Sequence, residues 1–340
     1  MPQSDATSEV VRHSPQEQVM GILMGLIQGR SLIAAAELGI ADVLANGPLS
    51  ANAIASQTHA DADNVFRLLR ALETIGVFKQ VSPRIFENTP LSVCLRKNVP
   101  GSLWALVQIN APGWGHWEGF AEMLPTVQTG RTTLFERQGC DLWEQFRRNP
   151  GKWAVFNEAM RSVTFPTTPT ITAAYNWARY PVIADIGGGI GTQLVDILNA
   201  NPGCRGVLFD QADVVASAIP HDRVECVSGN FFEKISVDAD AYIFRNIIHD
   251  WNDAMATSIL KMLRKATKPT SRIMLIEWVI PENSDFHFGK WTDMTMMTCV
   301  SGRERTKSDF ETLFKESGFV LEEIVPTAST FSIVVGRPAT

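Results

Sequence analysis

The chain has 340 residues, of which 45% are hydrophobic and 19% are charged, and its formal net charge is −6. An average globular chain has about 25% charged residues, so this composition predicts a globular protein and excludes a disordered one. Two domains are expected at this length. The mild negative charge argues against a protein that holds nucleic acid by bulk electrostatics, because such proteins usually carry a basic face.

The five cysteines show no CxxC spacing, and their odd number leaves one unpaired in any complete set of disulfides. Scattered cysteines of this kind are typical of reduced core residues in an intracellular protein. The segment 1–13 is polar and carries both charge signs, unlike a secretory signal. We therefore expect a cytoplasmic protein.

The stretch Val19–Ile40 is apolar enough to resemble a membrane span. Gln28, Arg30 and Glu37 interrupt it, whereas a spanning helix needs about 20 mostly uncharged apolar residues. We therefore predict a buried helix of a soluble protein and no membrane contact.

Three glycines in this stretch, Gly21, Gly25 and Gly29, recur every four residues and so share one helix face. A glycine inside a helix costs about 1 kcal/mol relative to alanine, so three of them on one face indicate close packing that compensates. The partner is either another element of the same chain or a second copy in a homodimer, and we favour the homodimer.

A winged-helix pattern follows this stretch. Leu49–Gln57 and the amphipathic Asp61–Ile75 are predicted helices, and Val77–Val81 and Arg84–Glu87 are predicted strands of a hairpin. Winged helices often bind DNA. The second helix, however, offers its arginines together with three acids, which is a poor electrostatic footprint for phosphate, so no nucleic acid is expected as a partner.

The middle of the chain, Pro100–Pro169, is rich in Trp, Phe, Gly and Pro. Trp117–Leu124 and Trp143–Met160 are predicted helices within it. We interpret this segment as a connector that also supplies apolar pocket walls. The predicted domain boundaries are 1–105 for the helical winged-helix domain, 106–170 for the connector and 171–340 for the last domain.

Strands and helices alternate from Pro181 onwards, which predicts right-handed crossovers and a parallel sheet, hence an α/β domain. The predicted strands are Val182–Ile186, Gly206–Phe209, Val224–Val227, Ala241–Arg245, Arg272–Val279, Val320–Val325 and Thr330–Val335. The predicted helices are Thr192–Ala200, Asp213–Ala218, Asp253–Thr267 and Lys307–Ser317. The last two strands leave no room for a helix between them and should pair antiparallel.

A glycine-rich loop, ADIGGGIG, joins the first of these strands to its helix. Glycines at such a place allow a tight turn and close approach of a ligand to the backbone and the helix N-terminus. A nicotinamide fingerprint would need a third glycine at Thr192. Here the spaced glycines are Gly187, Gly189 and Gly191, with Asp185 before the loop, a spacing that suits S-adenosylmethionine, which has no pyrophosphate to hold.

Two further residues point to chemistry at the carboxyl edge of the sheet. Asp210 ends the next strand, where a carboxylate can accept both ribose hydroxyls of a nucleoside, although a helix-capping aspartate is an alternative. His249, in RNIIHDWND, follows the fourth strand at the edge where open α/β folds place their sites.

With these motifs, nearly the whole chain resembles the caffeic acid and hydroxyindole O-methyltransferase family. The resemblance implies a homodimer with a winged-helix dimerisation domain and a Rossmann-like catalytic domain that binds S-adenosylmethionine and methylates small-molecule hydroxyls. His249 matches the histidine that removes the hydroxyl proton, and Glu277 and Glu304 match the two acids beside it. The family differs from the magnesium-dependent catechol type, and no metal is expected.

The resemblance also carries over binding residues. Gly187 and Asp210 match cofactor contacts, Asn230 and Phe231 fall at the adenine, and Arg245 takes the place of a usual lysine. Asn230 replaces a carboxylate, but its amide oxygen can still accept the adenine amino hydrogen. Four residues match positions that line the acceptor pocket: Phe156, Met160, Met294 and Met297. Trp291, Trp114 and Phe120 are further candidates for the pocket, with plain core as the favoured interpretation.

The segment Met297–Gly302 lacks the asparagine–proline pair that is frequent in the family before GRERT. Two other classes of function are alternatives to a methyltransferase. The first is a ligand-responsive DNA-binding regulator, which the weakly charged second helix disfavours. The second is a family member that performs hydroxylation or decarboxylation, which the presence of His249 with both acids disfavours.

Overall fold

The computed structural model describes residues Ser14–Thr340, and these divide into two compact units, the first ending at Ala111 and the second running from Pro112 to Thr340. The elements of the first unit are the helices and strands α1 Pro15–Glu37, α2 Ile40–Val43, β1 Leu49–Ser50, α3 Ala51–Thr58, α4 Ala62–Glu73, β2 Phe78–Ser82, β3 Ile85–Asn88, α5 Pro90–Val93 and α6 Trp104–Gln108. The predicted winged helix is confirmed, since α3 and α4 precede the β2–β3 hairpin.

The start of α3 differs from the prediction. Leu49 and Ser50 form strand β1, which pairs antiparallel with β3 in a sheet of order β1-β3-β2. The side chain of Ser50 accepts a hydrogen bond from Ala53 N and caps α3, so the helix begins at Ala51.

Helix α1 is formed as predicted, but within the single chain most of it is exposed rather than buried. Ser14 caps it in a capping box and Pro15 occupies its first turn. Only Ile33, Ala35 and Ala36 are buried in it, while seven large apolar side chains between Val19 and Ile27 are 39% to 78% exposed. By length and composition α1 could cross a membrane.

The second unit opens with six helices: α7 His116–Ala121, α8 Met123–Thr129, α9 Thr133–Gln138, α10 Leu142–Arg147, α11 Pro150–Thr164 and α12 Thr168–Ala174. The predicted single helix Trp143–Met160 is two helices. Asn149 lies between them and accepts a hydrogen bond from Lys152 N, and Pro150, which has no N–H, begins α11.

The main sheet has seven strands in the order β6-β5-β4-β7-β8-β10-β9. They are β4 Val182–Ile186, β5 Arg205–Asp210, β6 Val224–Ser228, β7 Ala241–Arg245, β8 Arg272–Glu277, β9 Phe319–Pro326 and β10 Ser332–Pro338. The strands β4 to β8 pair in parallel, and β10 is antiparallel to both β8 and β9. Both predictions about strand direction are confirmed.

The helices of this part are α13 Thr192–Ala200, α14 Ala212–Val215, α15 Asp253–Ala266, α16 Gly289–Cys299 and α17 Lys307–Ser317. Helix α14 is shorter than predicted, β8 ends at Glu277 rather than Val279, and α16 was not predicted. Val279 instead forms an isolated bridge with Arg305.

The core of the second unit covers both faces of the sheet. On β7, Tyr242 and Phe244 point to one cluster and Ala241 and Ile243 to the other, and all four are fully buried. A parallel sheet covered on both faces gives such continuous apolar strands. Because β4 pairs with both β5 and β7, the chain reverses its direction of winding there, which creates a crevice at the carboxyl ends of these strands.

The cysteines are all free, as predicted, but only Cys204 and Cys299 are buried, and Cys226 is exposed on the edge strand β6. The prediction that the cysteines are core residues therefore holds for two of the five.

Candidate active site

The glycine loop after β4 adopts a backbone that side chains rarely allow. Gly187, Gly189 and Gly191 have φ values of 70°, 62° and 84°. A Cβ added at Gly187 would lie 2.8 Å from Ile247 Cδ1, so only glycine lets this loop contact the turn that follows β7. A Cβ added at Gly189 would meet nothing within 4 Å, so the loop borders open space there.

Asp210 holds the same loop from β5. Its Oδ2 accepts a hydrogen bond of 2.9 Å from Gly189 N, and its Oδ1 accepts one of 2.7 Å from Gln211 N. Burial raises the pKa of this carboxyl, although both backbone bonds oppose the shift. The helix-capping alternative does not describe it, because α14 is preceded by Gln211, which makes no side-chain cap.

Asp185 lies beneath the loop rather than in the open crevice. It is buried, and a Cβ added at Gly188 would lie 2.5 Å from Asp185 Cγ, so the loop covers the carboxyl closely. Burial raises its pKa to about 7, with Arg245 opposing the shift. Its Oδ1 is buried without a hydrogen-bond partner among residues 14–340.

The segment predicted to hold adenine lies beside the loop. A Cβ added at Gly187 would be 3.6 Å from Phe231 Cε1, and the Phe231 ring meets Trp251 edge-on at 6.4 Å between centroids. Asn230 is exposed, and its Oδ1, the oxygen predicted to accept from adenine, accepts a hydrogen bond of 3.0 Å from Phe232 N. A carbonyl oxygen has a second lone pair, so the predicted contact stays a prediction.

Arg245, also predicted to bind the cofactor, directs its guanidinium into the protein. All four Nη hydrogens are engaged by oxygens of three threonines and of Gln193. Only Nε is left, and it is buried without a partner within the described chain. Burial lowers the pKa of this guanidinium to about 10.

His249 lies in the turn after β7 with its ring 9% exposed. Its Nδ1 is 2.8 Å from Glu304 Oε1, a hydrogen-bond distance, and 3.9 Å from Glu277 Oε2. Its Nε2 is 3.6 Å from Asp250 Oδ1, too long for a hydrogen bond. The structure therefore brings together the three residues predicted to be catalytic and adds Asp250 to them.

Hydrogen bonds from two backbone N–H groups and from a threonine hydroxyl hold the two glutamates in place. Glu277 ends β8, and its Oε1 accepts hydrogen bonds from Ile247 N and Ile248 N at 3.3 and 3.0 Å. The Oε1 of Glu304 accepts from Thr292 Oγ1 at 3.2 Å. The Oε2 atoms of both glutamates are buried with no hydrogen-bond partner in the part of the chain that the structure describes.

The electrostatics of this cluster favour the protonated imidazole. Burial lowers the pKa of His249 and is the largest single effect, but Glu304, Glu277 and Asp250 together outweigh it and raise the pKa to about 10. Burial raises the pKa of Glu277 to about 7 and that of Asp250 to about 6, although His249 opposes both shifts.

The GRERT segment fixes the histidine turn from the other side. A Cβ added at Gly302 would lie 2.0 Å from His249 O, and Arg303 N donates to the same oxygen at 2.9 Å. Arg305 is fully buried and donates to Ile248 O and Trp251 O at 3.1 and 3.0 Å. Sequence reasoning did not find Gly302 or Arg305, since their partners, backbone atoms for both and the Asp253 carboxylate for Arg305, lie some fifty residues away.

Helix α16 carries the two methionines predicted for the acceptor pocket. Near its start, Thr292 Oγ1 donates to Glu304 Oε1, and Asp293 Oδ1 accepts a hydrogen bond of 2.8 Å from Glu304 N. Met294 and Met297 follow on the same helix and are both partly buried. The backbone of Met297 accepts from Thr132 Oγ1 at 2.8 Å, which joins α16 to the start of α9.

Phe156 and Met160 lie on α11. Phe156 is buried and packs against Phe146 and Trp143, with ring centroids 4.6 and 5.6 Å away. The ring centroid of Trp143 in turn lies 6.5 Å from that of Trp251, which is two residues after His249. This aromatic cluster therefore connects α11 to the histidine turn.

The other pocket candidates are not core residues. Trp291 is 66% exposed and Phe120 is 39% exposed. Trp114 is partly buried, with Lys152 Nζ 5.6 Å from its ring centroid.

His249, Glu277 and Glu304 each offer one donor atom, and these atoms lie within 4.8 Å of one another, as in a metal site. A proton between Nδ1 and Glu304 accounts for their 2.8 Å contact without an ion. The expectation that no metal is needed stays a prediction.

The crevice fits S-adenosylmethionine. Open space faces Gly189, a carboxylate stands beside it at Asp210, and a phenyl ring borders it at Phe231. The open space allows a ligand to lie on the loop, the carboxylate suits a ribose, and the phenyl ring suits an adenine. Sheet order, glycine loop and buried histidine cluster together define a class I methyltransferase.

Comparison with known proteins identifies the family. Residues 120–320 match the model of an O-methyltransferase domain, and residues 20–98 match that of an O-methyltransferase dimerisation domain. The chain therefore belongs to the O-methyltransferase family that combines these two domains.

Among its relatives, phenazine O-methyltransferase PhzM of Lysobacter antibioticus is 37% identical over 328 residues, which cover 93% of this chain and 96% of the relative. The crystal structure of LaPhzM is 35% identical, with a TM-score of 0.90, and covers 96% of this chain and 100% of its own. NcsB1, an O-methyltransferase from neocarzinostatin biosynthesis, was solved with S-adenosylmethionine and 2-hydroxy-5-methyl naphthoic acid. It is 27% identical, with a TM-score of 0.80, and covers 91% of this chain and 95% of its own. This protein is thus an S-adenosylmethionine-dependent O-methyltransferase.

Gly302→Ala should lower turnover at least tenfold. The added methyl would overlap His249 O, so the histidine turn must shift. Affinity for S-adenosylhomocysteine should stay near that of the wild type, because the glycine loop is untouched. Gly203→Ala is the matched control, since a Cβ there meets nothing within 4 Å. Steady-state kinetics and calorimetric titration measure the two effects, and wild-type turnover in Gly302→Ala would contradict the packing described.

Proposed function

We propose that the enzyme methylates a phenolic hydroxyl of a small, flat aromatic molecule, with His249 as the general base. The observation that carries this proposal is the buried imidazole whose Nδ1 is held by Glu304 while Nε2 has no hydrogen bond to any described residue. A histidine oriented by a carboxylate through one ring nitrogen presents the other to a substrate.

The proton chemistry follows from the charges around the ring. S-adenosylmethionine supplies a methyl group already activated on a sulfonium. A phenol has a pKa near 10, so an ordinary imidazole with a pKa of about 6.5 is a weak base towards it. The surrounding acids raise the pKa of His249 to about 10, which matches the phenol. Proton transfer to Nε2 is then nearly balanced in energy, and such catalysis typically contributes 10²–10⁴-fold.

The acceptor class is supported by the walls predicted for the pocket and by the relatives. The predicted walls are apolar or polarisable side chains that suit a flat ring. They are Phe156 and Met160 on α11 and Met294 and Met297 on α16. One relative, PhzM, is named for a phenazine, and another, NcsB1, was solved with a naphthoic acid. Both are fused aromatic systems. We therefore propose a fused-ring phenol as the acceptor.

A labelled-methyl assay over a panel of phenols tests this function. His249→Ala and His249→Gln should lower the single-turnover rate by at least 10²-fold, because the hydroxyl proton then has no acceptor. Their affinity for S-adenosylhomocysteine should stay within about twofold of the wild type. His221→Gln is the control and should keep full activity. His221 lies just before β6, at the amino ends of the parallel strands, whereas His249 follows the carboxyl end of β7. Weakened cofactor binding with an unimpaired single-turnover rate would contradict the assignment.

The pH profile provides a second test. With a pKa of about 10, His249 is mostly protonated at neutral pH, and only the unprotonated fraction can act as base. The kcat/KM value should therefore rise from pH 7 towards pH 10. Glu304→Gln removes a charge that raises the pKa of His249, so the rise should move to lower pH.

The same acceptor is used for both proteins in that comparison, so its own ionisation cancels. Glu311→Gln serves as control because it removes one exposed charge on α17, where Glu311 pairs with Lys307. An unchanged profile in Glu304→Gln would refute the role given to this carboxylate.

We also propose that the enzyme is a homodimer formed through α1. Its exposed apolar side chains and the open face at Gly21, Gly25 and Gly29, where an added Cβ meets nothing within 4 Å, favour a partner outside the described chain. The match of residues 20–98 to a dimerisation domain supports this. Of the two partners considered for the glycine face, the second copy is favoured.

Light scattering should give twice the chain mass of 37.5 kDa. Ile22→Glu and Leu26→Glu should shift the mass towards that of the monomer, because each buries a charge in the interface. Val320→Glu, on the edge strand β9, adds the same charge elsewhere and should leave the mass unchanged. A monomeric wild type that binds lipid vesicles would overturn the dimer and favour a membrane contact.

DNA binding is the weaker alternative for the first unit. The side chain of Arg84 lies over the Phe66 ring at 4.1 Å and 3.6 Å from Asp63 Oδ1, so it is already engaged by groups of α4. Salt-sensitive, sequence-selective binding in a gel shift would be needed to support it.

A further inference from the structure

Arg245 stands at the carboxyl end of β7, four residues before His249, and it contacts two other segments of the second unit. Its Nη2 donates to Thr164 O at 2.7 Å and to Thr167 Oγ1 at 2.6 Å. Its Nη1 donates to Thr168 Oγ1 at 2.8 Å and to Gln193 Oε1 at 2.7 Å. One guanidinium thus connects β7, the junction of α11 and α12, and the first turn of α13.

These segments carry different parts of the site. Helix α11 bears the predicted acceptor walls, and α13 begins directly after the glycine loop. The junction is itself tied to α11, because Thr164 Oγ1 donates to Met160 O at 2.9 Å. On the other side, Gln193 Nε2 donates to Thr172 Oγ1 at 3.0 Å, which joins α13 to α12.

We propose that Arg245 is a positioning residue that sets α11, and with it Phe156 and Met160, relative to His249, rather than a ligand of the cofactor. The proposal rests on the acceptor pocket assigned to α11 in the proposed function. It also replaces the cofactor-binding role expected for Arg245 from the sequence.

Arginine is suited to this role in a way that lysine is not. The guanidinium is planar with five donors in a fixed fork, and here four of them meet four neutral oxygens. A lysine ammonium has three donors around one point and cannot span both the junction and Gln193. Since every Nη hydrogen is taken, a cofactor carboxylate could reach only Nε, which is buried.

The test uses the full-length enzyme with Arg245→Lys, Arg245→Met and the double variant Thr167→Val/Thr168→Val. Four quantities are measured: the Kd of S-adenosylhomocysteine, amide hydrogen exchange along residues 150–174, and both KM and kcat for a phenol accepted in the panel. Arg264→Lys is the matched control, because the Arg264 guanidinium also donates to oxygens of other segments, Gly318 O and Ala339 O.

Both Arg245 variants should raise exchange within 160–172 at least tenfold and the acceptor KM about tenfold, while the cofactor Kd changes less than threefold. The threonine double variant should act in the same direction, and combining it with Arg245→Met should add little, because both remove one set of contacts. Arg264→Lys should leave the acceptor KM unchanged.

A tenfold weaker cofactor Kd with unchanged exchange in 150–174 would make Arg245 a cofactor ligand and overturn the proposal. If hydrogen exchange rises equally across the whole sheet and the acceptor KM is unchanged, Arg245 only stabilises the fold. This result would also overturn the proposal. If no phenol is methylated, the proposed function fails, and the exchange and binding measurements still decide the role of Arg245.

Discussion

The site depends on one hydrogen bond, between His249 Nδ1 and Glu304 Oε1, made where water is largely excluded. Burying charged groups is costly unless they are paired and hydrogen-bonded, and removing one partner leaves the other uncompensated. The surrounding structure meets that condition. Glu277 accepts from two backbone N–H groups of the histidine turn, Thr292 donates to Glu304, and Arg305 binds the carbonyls on either side of the turn.

Much of the fold was predictable because local patterns and tertiary packing agree. The apolar strands, the glycine loop and the helix Thr192–Ala200 lie where alternation and turn residues predicted them. Errors arose where a local feature interrupts the period, as at Asn149 and Pro150 between α10 and α11. Helix α16 was missed because its threonines, methionines and aspartate show no amphipathic repeat. Its place is set by contacts with α7 and with Glu304.

The residues of the site were predictable to a different extent. His249 was found from its place after the fourth strand, and Glu277 and Glu304 through a family resemblance; the structure places all three together. Gly302 and Arg305 were not found, since a glycine forced by a carbonyl of another segment has no local signature. The direction of the Arg245 side chain was equally hidden, because its four partners lie 52 to 81 residues away along the chain.

Two carboxylate oxygens of the histidine cluster, Glu277 Oε2 and Glu304 Oε2, are buried with no hydrogen-bond partner among the described residues. Burial raises the pKa of Glu277 to about 7, so this group can hold a proton at neutral pH without help from solvent. A proton that the ring takes up in the proposed mechanism would stay on His249, whose pKa of about 10 lies above that of Glu277. Loss of this proton from the ring would therefore have to precede the next cycle.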